Sequence, residues 1–467
     1  MTWFRSPSQR VGQKQVVSVR PYPTVAAGRI HGPSHKSKTP LGAIARNPPG
    51  QPRPSTGKAV PTGPLRYGGA MDPTSPAADV RPNTAQAAGT LSSITYQPAP
   101  QPSGGVTTLH IEPRRTILVG RNAAGKSWLL EGLRRAFSFA TNGGGVEHSL
   151  DFLQFELAIQ VGKHRFDYLV GTEPRVDKPG DRGNSRRPQP PVSLVEKVRV
   201  DGQMRIKVRQ GQGTVDDARV VLANTGTSML GSTVALPTPM NLLRTYFYGF
   251  VFVRPGVPRR GGRRGVLVER TDDSAIWNVP KWEDGVRLGL LAAQIANWHD
   301  SDRALFDQFL AALSRMGVAN NIHLLDFQVG QEPVRHLGIL QVDGIEFGFL
   351  SDGTLRMMEI LAAIIERDTN IIVIEEPETS VHPALLEKML NEIAAIANSK
   401  QVIISTHSPQ VVSWAEPSDL RLVQWNAPLE NRPSVFSLSP AQIADLKLYL
   451  EEDGSMGEFV FEGGLDD

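Results

Sequence analysis

The sequence predicts an α/β fold built around a phosphate-binding loop, with a β-rich subdomain, an inserted helical lobe and a disordered N-terminal extension. Three observations predict it. The string GRNAAGKS at Gly120–Ser127 follows an apolar strand candidate and opens a helical pattern. Two later apolar runs end in polar residues that carry chemistry: Ile371–Ile374 in Glu375 and Glu376, and Val402–Ile404 in Thr406, His407 and Ser408. Ahead of these, residues 1–100 hold 12 Lys+Arg, 2 Asp+Glu and 16 of the 36 prolines, with no sustained period of strand or helix.

Composition bounds the rest. A length of 467 residues allows two or three domains, and 40% hydrophobic residues supply a sizeable core. No apolar run reaches the roughly 18 residues of a membrane span, and the N-terminus carries no compact apolar signal segment. A cytoplasmic chain without a membrane partner is therefore expected. The absence of cysteine excludes disulfide frameworks, thiolate metal sites and a cysteine nucleophile. The net charge of +3 conceals a basic N-terminal stretch and an acidic remainder.

In chain order, residues 1–90 are expected to be a disordered, basic, Pro/Gly-rich extension, because so little apolar surface cannot offset the entropy of ordering. Residues 91–150 form the first part of the nucleotide-binding core. Within them, Ser93–Tyr96, Thr107–Ile111 and Thr116–Val119 read as strands, and Trp128–Phe137 as a helix with Leu129, Leu130, Leu133 and Phe137 on one side. Residues 151–225 alternate apolar and polar side chains, as antiparallel strands do, with a turn near Val161–Lys163 and a Pro/Gly/Arg-rich loop at Pro174–Pro191. Residues 226–345 are assigned to a helical lobe, with amphipathic helices at Asp284–Trp298 and Asp302–Met316. Residues 346–467 complete the core. No heptad pattern and no internal repeat appears.

The motifs specify chemistry. Gly120, Asn122, Ala123, Ala124 and Gly125 offer backbone N–H groups to a β-phosphate at a helix N-terminus, Lys126 reaches the β- and γ-phosphates, and Ser127 offers a hydroxyl to Mg²⁺. Glu375 is the candidate for holding Mg²⁺ through water, and Glu376 for polarising the water that attacks the γ-phosphate. His407 follows a strand expected beside the carboxylate strand, where it can hydrogen-bond the γ-phosphate. Leu350–Gly353 precedes an apolar helix, which Ser351 or Asp352 can cap. Arg254, Arg259, Arg260, Arg263 and Arg264 lie in one Gly/Pro-rich loop that reads first as a solvated surface loop and, as the sharper alternative, as a candidate DNA-backbone contact.

The combination of GRNAAGKS, LSDGTLR at Leu350–Arg356, EEPETSVHP at Glu375–Pro383 and STHSP at Ser405–Pro409 resembles the ABC-ATPase class of P-loop NTPases. Within that class it is similar to AAA-type ATPases related to the OLD (overcoming lysogenization defect) family, and more distantly to SMC and RecF-type heads. The resemblance runs from about Leu91 to Gln424. It implies an ATP- and Mg²⁺-dependent ATPase forming ATP-sandwich homodimers or higher oligomers. Ser351 and Gly353 would then bind the nucleotide of the other subunit, Glu378–His382 would lie at the dimer seam, and His407 would be the switch histidine. The sequence departs from the class in having Glu375 where many members have Asp, and in offering only Gln154 and Gln160 for a Q-loop. The chain after His407 is too short for a Toprim nuclease domain, so a separate nuclease or toxin effector is the implied partner, in antiphage defence. A DNA-repair or chromosome-maintenance head is the alternative role, and a transporter subunit a more remote one.

Overall fold

The computed structural model describes residues 89–98, 105–141, 152–174, 192–222, 227–256, 265–271, 276–280, 286–330, 335–426, 432–451 and 454–461. The expected N-terminal extension lies outside them apart from its last two residues, which are already strand. The described residues belong to one compact unit, Asp79–Asp467. It opens with strands β1 (Gly89–Pro98), β2 (Thr107–His110) and β3 (Arg115–Val119), followed by helix α1 (Lys126–Thr141). A meander follows: β4 (Phe152–Val161), β5 (His164–Pro174), β6 (Val192–Val200), β7 (Gln203–Arg209), β8 (Gln212–Val215) and β9 (Ala218–Val221). Next come α2 (Thr238–Tyr248), β10 (Phe250–Val253), β11 (Leu267–Thr271), α3 (Val286–Ser301) and α4 (Arg303–Met316). Strands β12 (Ile322–Val329), β13 (Arg335–Val342) and β14 (Ile345–Glu346) lead to α5 (Asp352–Ile365). The chain closes with β15 (Ile371–Glu375), α6 (Pro383–Ile396), β16 (Gln401–Thr406), α7 (Pro409–Trp414), β17 (Leu420–Asn426), β18 (Arg432–Phe436), α8 (Pro440–Glu451) and α9 (Met456–Phe461).

Strands β10-β15-β16-β3-β17-β18 form the central sheet, parallel except for the last strand. Both of its faces are covered, which is why its strands read as unbroken apolar runs. Ile117, Ile372, Ile374 and Ile404 enter one core with α3 to α7. The intervening Leu118, Val373 and Ile403 enter a second core with α1, α2 and the antiparallel sheet. Mixed α/β architecture with large sheets and interspersed helices is thus the fold class, as the sequence predicts. No helix among the described residues is long and apolar enough to cross a membrane.

Two of the expected boundaries shift. The antiparallel sheet runs β2-β1-β4-β5-β6-β7-β8-β9, so Gly89–His110 belongs with the β-rich part and not with the core strands. The pairing of β1 with β4 and the burial of Leu91, Ile94 and Tyr96 against the meander are what draw it there. The stretch expected as a helical lobe is mixed. Its Phe-Val-Phe-Val run is too short and too rich in β-branched and aromatic residues for a helix, and β10 pairs in parallel with β15 as an edge of the central sheet. Strands β11, β13 and β12 form a separate antiparallel sheet, whose Val268, Leu340 and Val342 pack with the α3–α4 pair.

One face of the antiparallel sheet is buried in the second core. Tyr168, Val198, Ile206 and Val208 face the core. The opposite face carries Lys197 across from Lys207, then Thr214 and Arg219 in the same row.

Candidate functional site

The phosphate loop begins where β3 ends, at the C-terminal edge of the parallel strands, where open α/β sheets place their ligands. Ala123 and Gly125 have φ of 65° and 99°. At Gly125 a side chain is excluded twice, since a Cβ would also stand 2.8 Å from Pro433 Cβ and from Trp425 Cε3. Ala124 N donates to Arg121 O at 3.1 Å, closing the loop, and Leu129 N to Gly125 O at 3.0 Å continues it into α1. Asn122, Ala123 and Ser127 are exposed on this loop, while Ala124 and Lys126 are buried. Lys126 Nζ donates to Gly120 O at 2.6 Å and to Arg121 O at 3.1 Å. Burial pushes the Lys126 ammonium below the ordinary lysine value, against the opposing pull of Glu376, Glu378 and Glu375. One cation thus faces three carboxylates.

Those carboxylates leave β15 two strands from β3, with β16 between them. Glu375 is paired with Ser405 in the β15–β16 register. Glu376 N donates to Ser405 O at 2.9 Å, and Glu376 has φ 47°, an uncommon conformation for a residue with a side chain. Thr379 Oγ1 donates to Glu376 Oε2 at 3.3 Å. Glu378 Oε1 accepts from Thr406 Oγ1 at 2.8 Å and from His407 N at 2.9 Å, and lies 3.2 Å from His407 Nδ1. His407 Nδ1 is also 3.6 Å from Glu376 Oε1, and its ring is 46% exposed, so it remains within reach of a ligand. Glu378 Oε2 and Ser405 Oγ are buried without a hydrogen-bond partner. The Glu378 carboxylate turns to Thr406 and His407 of its own chain. His382 does the work of a helix cap, its Nδ1 accepting from Ala384 N at 3.3 Å.

Ser351 caps α5: its Oγ accepts from Thr354 N at 3.1 Å and is 2.8 Å from Thr354 Oγ1. Gly353 lies against the turn after the carboxylates, where a Cβ would be 2.4 Å from Ser380 O. Gly353 therefore meets the acidic loop of its own chain. The tie between the two segments is Arg356, which sequence reasoning passed over. Its side chain is 4% exposed, Nη2 donates to Glu375 O at 2.5 Å, Nη1 donates to Arg254 O, and Glu359 stands 3.5 Å away. Burial lowers its pKa to about 10, with Glu359 and Glu375 resisting. A lone arginine inside the apolar run of α5 is the sequence signal that marks it.

Other expectations land elsewhere. The Arg254 guanidinium pairs with Glu131 of α1 and lies 4.8 Å over the Phe252 ring, while its side chain stays 44% exposed. Glu131 is half-buried, which alone would raise its pKa, but hydrogen bonds from Arg134 and Arg135 and the charges of Arg134 and Arg254 bring it down to about 2. Arg259, Arg260, Arg263 and Arg264 lie outside the described residues. Gln154 and Gln160, the Q-loop candidates, sit on β4 in the antiparallel sheet, with Gln160 Nε2 donating to Gly162 O at 2.9 Å.

Residues 261–413 match the family model described as "AAA domain, putative AbiEii toxin, Type IV TA system". The match takes in the Ser351 segment, the carboxylates and His407, and it stops short of the phosphate loop. No curated protein matches the chain. Among solved structures the chain is similar to an SMC head bound to the C-winged helix domain of ScpA, at 10% identity and TM-score 0.38, over 76% of this chain and 99% of that one. It is also similar to the SMC head domain of Thermotoga maritima, at 11% identity and TM-score 0.33, over 75% and 99%. A third is the Smc head with an extended coiled coil bound to the C-terminal domain of ScpA from Pyrococcus furiosus, at 10% identity and TM-score 0.35, over 78% and 100%.

Proposed function

We propose that this protein is a Mg²⁺-dependent ATPase that binds ATP at Gly120–Ser127 and hydrolyses it with Glu376. The observation that carries the reading is the meeting of Lys126, Glu376, Glu378 and His407 at one edge of a parallel sheet, delivered by three adjacent strands. The N–H groups of Gly120, Asn122, Ala123, Ala124 and Gly125 and the start of α1 take the phosphates. Lys126 neutralises the β- and γ-phosphate oxygens. Glu376 orients the attacking water and takes its proton. His407 meets the γ-phosphate, its ring held by Glu378.

Ser127 and Glu375 offer the oxygen donors that Mg²⁺ takes, and the buried Ser405 hydroxyl opposite Glu375 is a polar atom still to be satisfied. No group of three or more metal-ligating side chains occurs among the described residues, which suits an ion held mainly by phosphate oxygens and water. When bound, the ion would neutralise the charge that develops on the β- and γ-phosphates.

Ser351 and Gly353 complete the site of a second copy, giving an ATP-sandwich dimer. The motor then acts on something else. A DNA-associated head of SMC or RecF kind is supported by the cation-bearing outer face of the antiparallel sheet. An OLD-like antiphage component working through a separate nuclease or toxin is supported by the four-motif pattern and by the toxin–antitoxin description of the matched model. Phosphate-release assays test the chemistry. Lys126→Ala is expected to abolish ATP binding, and Glu376→Gln to keep binding while lowering turnover about 100-fold or more. Undiminished hydrolysis by Glu376→Gln would sink the general-base assignment. Stimulation of the rate by DNA favours the first role, and indifference to DNA the second.

A further inference from the structure

The outer face of the antiparallel sheet concentrates positive charge in register. Strand pairing aligns Glu156, Leu169, Lys197, Lys207, Thr214 and Arg219 in one row. The row on one side aligns Asp167, Arg199 and Met204, and the row on the other aligns Val195, Arg209 and Gln212. Arg199, Lys207, Arg209 and Arg219 are exposed, and Lys197 is half-buried. Acids on this face among the described residues include Glu156 and Asp167, with Glu173 following at the same strand period, and Asp167 is 3.5 Å from Arg165. Lys197 stands directly opposite Lys207, a placement that destabilises a sheet by itself.

We propose that this face, from β6 to β9, binds the phosphate backbone of double-stranded DNA. Neighbouring strands lie about 4.8 Å apart and same-face residues about 7 Å apart along a strand. Cations at that spacing can meet successive phosphates of a duplex, which carries one charge per roughly 1.7 Å of axis. Between and beside them the face carries the apolar Leu169, Val195 and Met204 together with Thr95, Thr108, Thr214, Gln154 and Gln212, whose hydroxyls and amides add uncharged phosphate contacts. From β5 to β9 no aromatic residue falls on this face among the described residues; Phe166 and Tyr168 alternate to the other side. Stacking platforms, which single-strand binding uses, are thus missing, and a duplex fits better. Contacts to phosphates carry no sequence information, so binding is expected to be independent of sequence. This inference rests on the DNA-associated role proposed above and not on the ATPase assignment.

Fluorescence anisotropy of the full chain with a duplex of about 30 base pairs, over about 50–200 mM salt, is the test. The variant Arg199→Gln/Lys207→Gln/Arg219→Gln is expected to bind about tenfold more weakly or worse, with the slope of log K against log salt reduced by about 3. Its far-UV circular dichroism and its ATP turnover without DNA should match the wild type, which separates this proposal from the ATPase reading. The charge-keeping Arg199→Lys/Lys207→Arg/Arg219→Lys variant should bind as the wild type does. So should Arg303→Gln/Arg315→Gln, whose arginines lie on α4. Wild-type affinity in the glutamine triple variant, equal loss in the α4 variant, or preference for a single strand of the same sequence would each overturn the proposal.

Discussion

Single residues at the site work through charges held close together. Lys126, Glu376, Glu378 and His407 are close enough that each sets the electrostatic surroundings of the others. A nucleotide's phosphates would enter beside a lysine whose positive charge is already offset by carboxylates, so removing any one of these groups changes the binding of the rest. Glu196 is a second buried carboxylate, well away from this set. It is 1% exposed, accepting from Ser228 Oγ and Met229 N at 2.6 Å each and from Tyr168 OH at 3.2 Å. Burial raises its pKa above the usual carboxylate value, with those hydrogen bonds resisting. The folded state therefore holds a proton that the unfolded chain releases. Its contribution to stability is fully present below the unfolded pKa of about 4.5 and is lost as pH rises through the folded value. Urea midpoints of wild type and Glu196→Gln at about pH 5, 6.5 and 8 check this. The amide has no such linkage, so wild type is expected to lose stability relative to the variant as pH rises. A constant difference across that range would show that Glu196 does not change its protonation on folding.

Among the elements, α5 and the loop after β15 are the pair whose fit matters most to the site. Gly353, in the first turn of α5, approaches Ser380 O so closely that an added Cβ would sit at 2.4 Å from it. Gly353→Ala is expected to lower stability by about 1–3 kcal/mol, since a backbone carbonyl cannot rotate away as a side chain can. It should also loosen the carboxylate loop, seen as faster amide exchange over residues 376–381; an unchanged urea midpoint would show that the approach is not a constraint. The sequence makes β3, β15 and β16 legible because fully buried strands are apolar throughout, and it makes the loop residues legible because the phosphate pattern is locally encoded. It is silent on what depends on distant pairing. That β10 joins β15, and that β1 belongs to the meander, follows from partners far along the chain. The inward turn of Glu378 and the anchoring of Glu375 by Arg356 depend likewise on which elements lie adjacent. Arg254 shows the opposite failure: in a run of arginines it reads as a solvent-facing cation, yet α1 supplies it with a carboxylate.

At the scale of the whole molecule, two hydrophobic cores share one parallel sheet and the nucleotide loops lie along its edge. Arg356 joins the helix that Ser351 caps to the carbonyl of Glu375, so a ligand that displaces one displaces the other. The helix cap itself is satisfied within its own turn, and Ser351 is exposed, free to face another molecule. If it completes the site of a second copy, dimerisation and hydrolysis must be linked, because ATP holds the interface only while its γ-phosphate is present. Glu376→Gln with ATP and Mg²⁺ should accumulate the closed form, and sedimentation should shift from monomer to dimer as ATP is added. Adding Ser351→Arg places a bulky cation where the partner's nucleotide would lie. That variant should sediment as a monomer with ATP while binding a fluorescent ATP analogue as tightly as the monomeric parent. Parallel loss of analogue binding would instead place Ser351 at its own subunit's phosphates, and an unchanged dimer would place the interface on another surface.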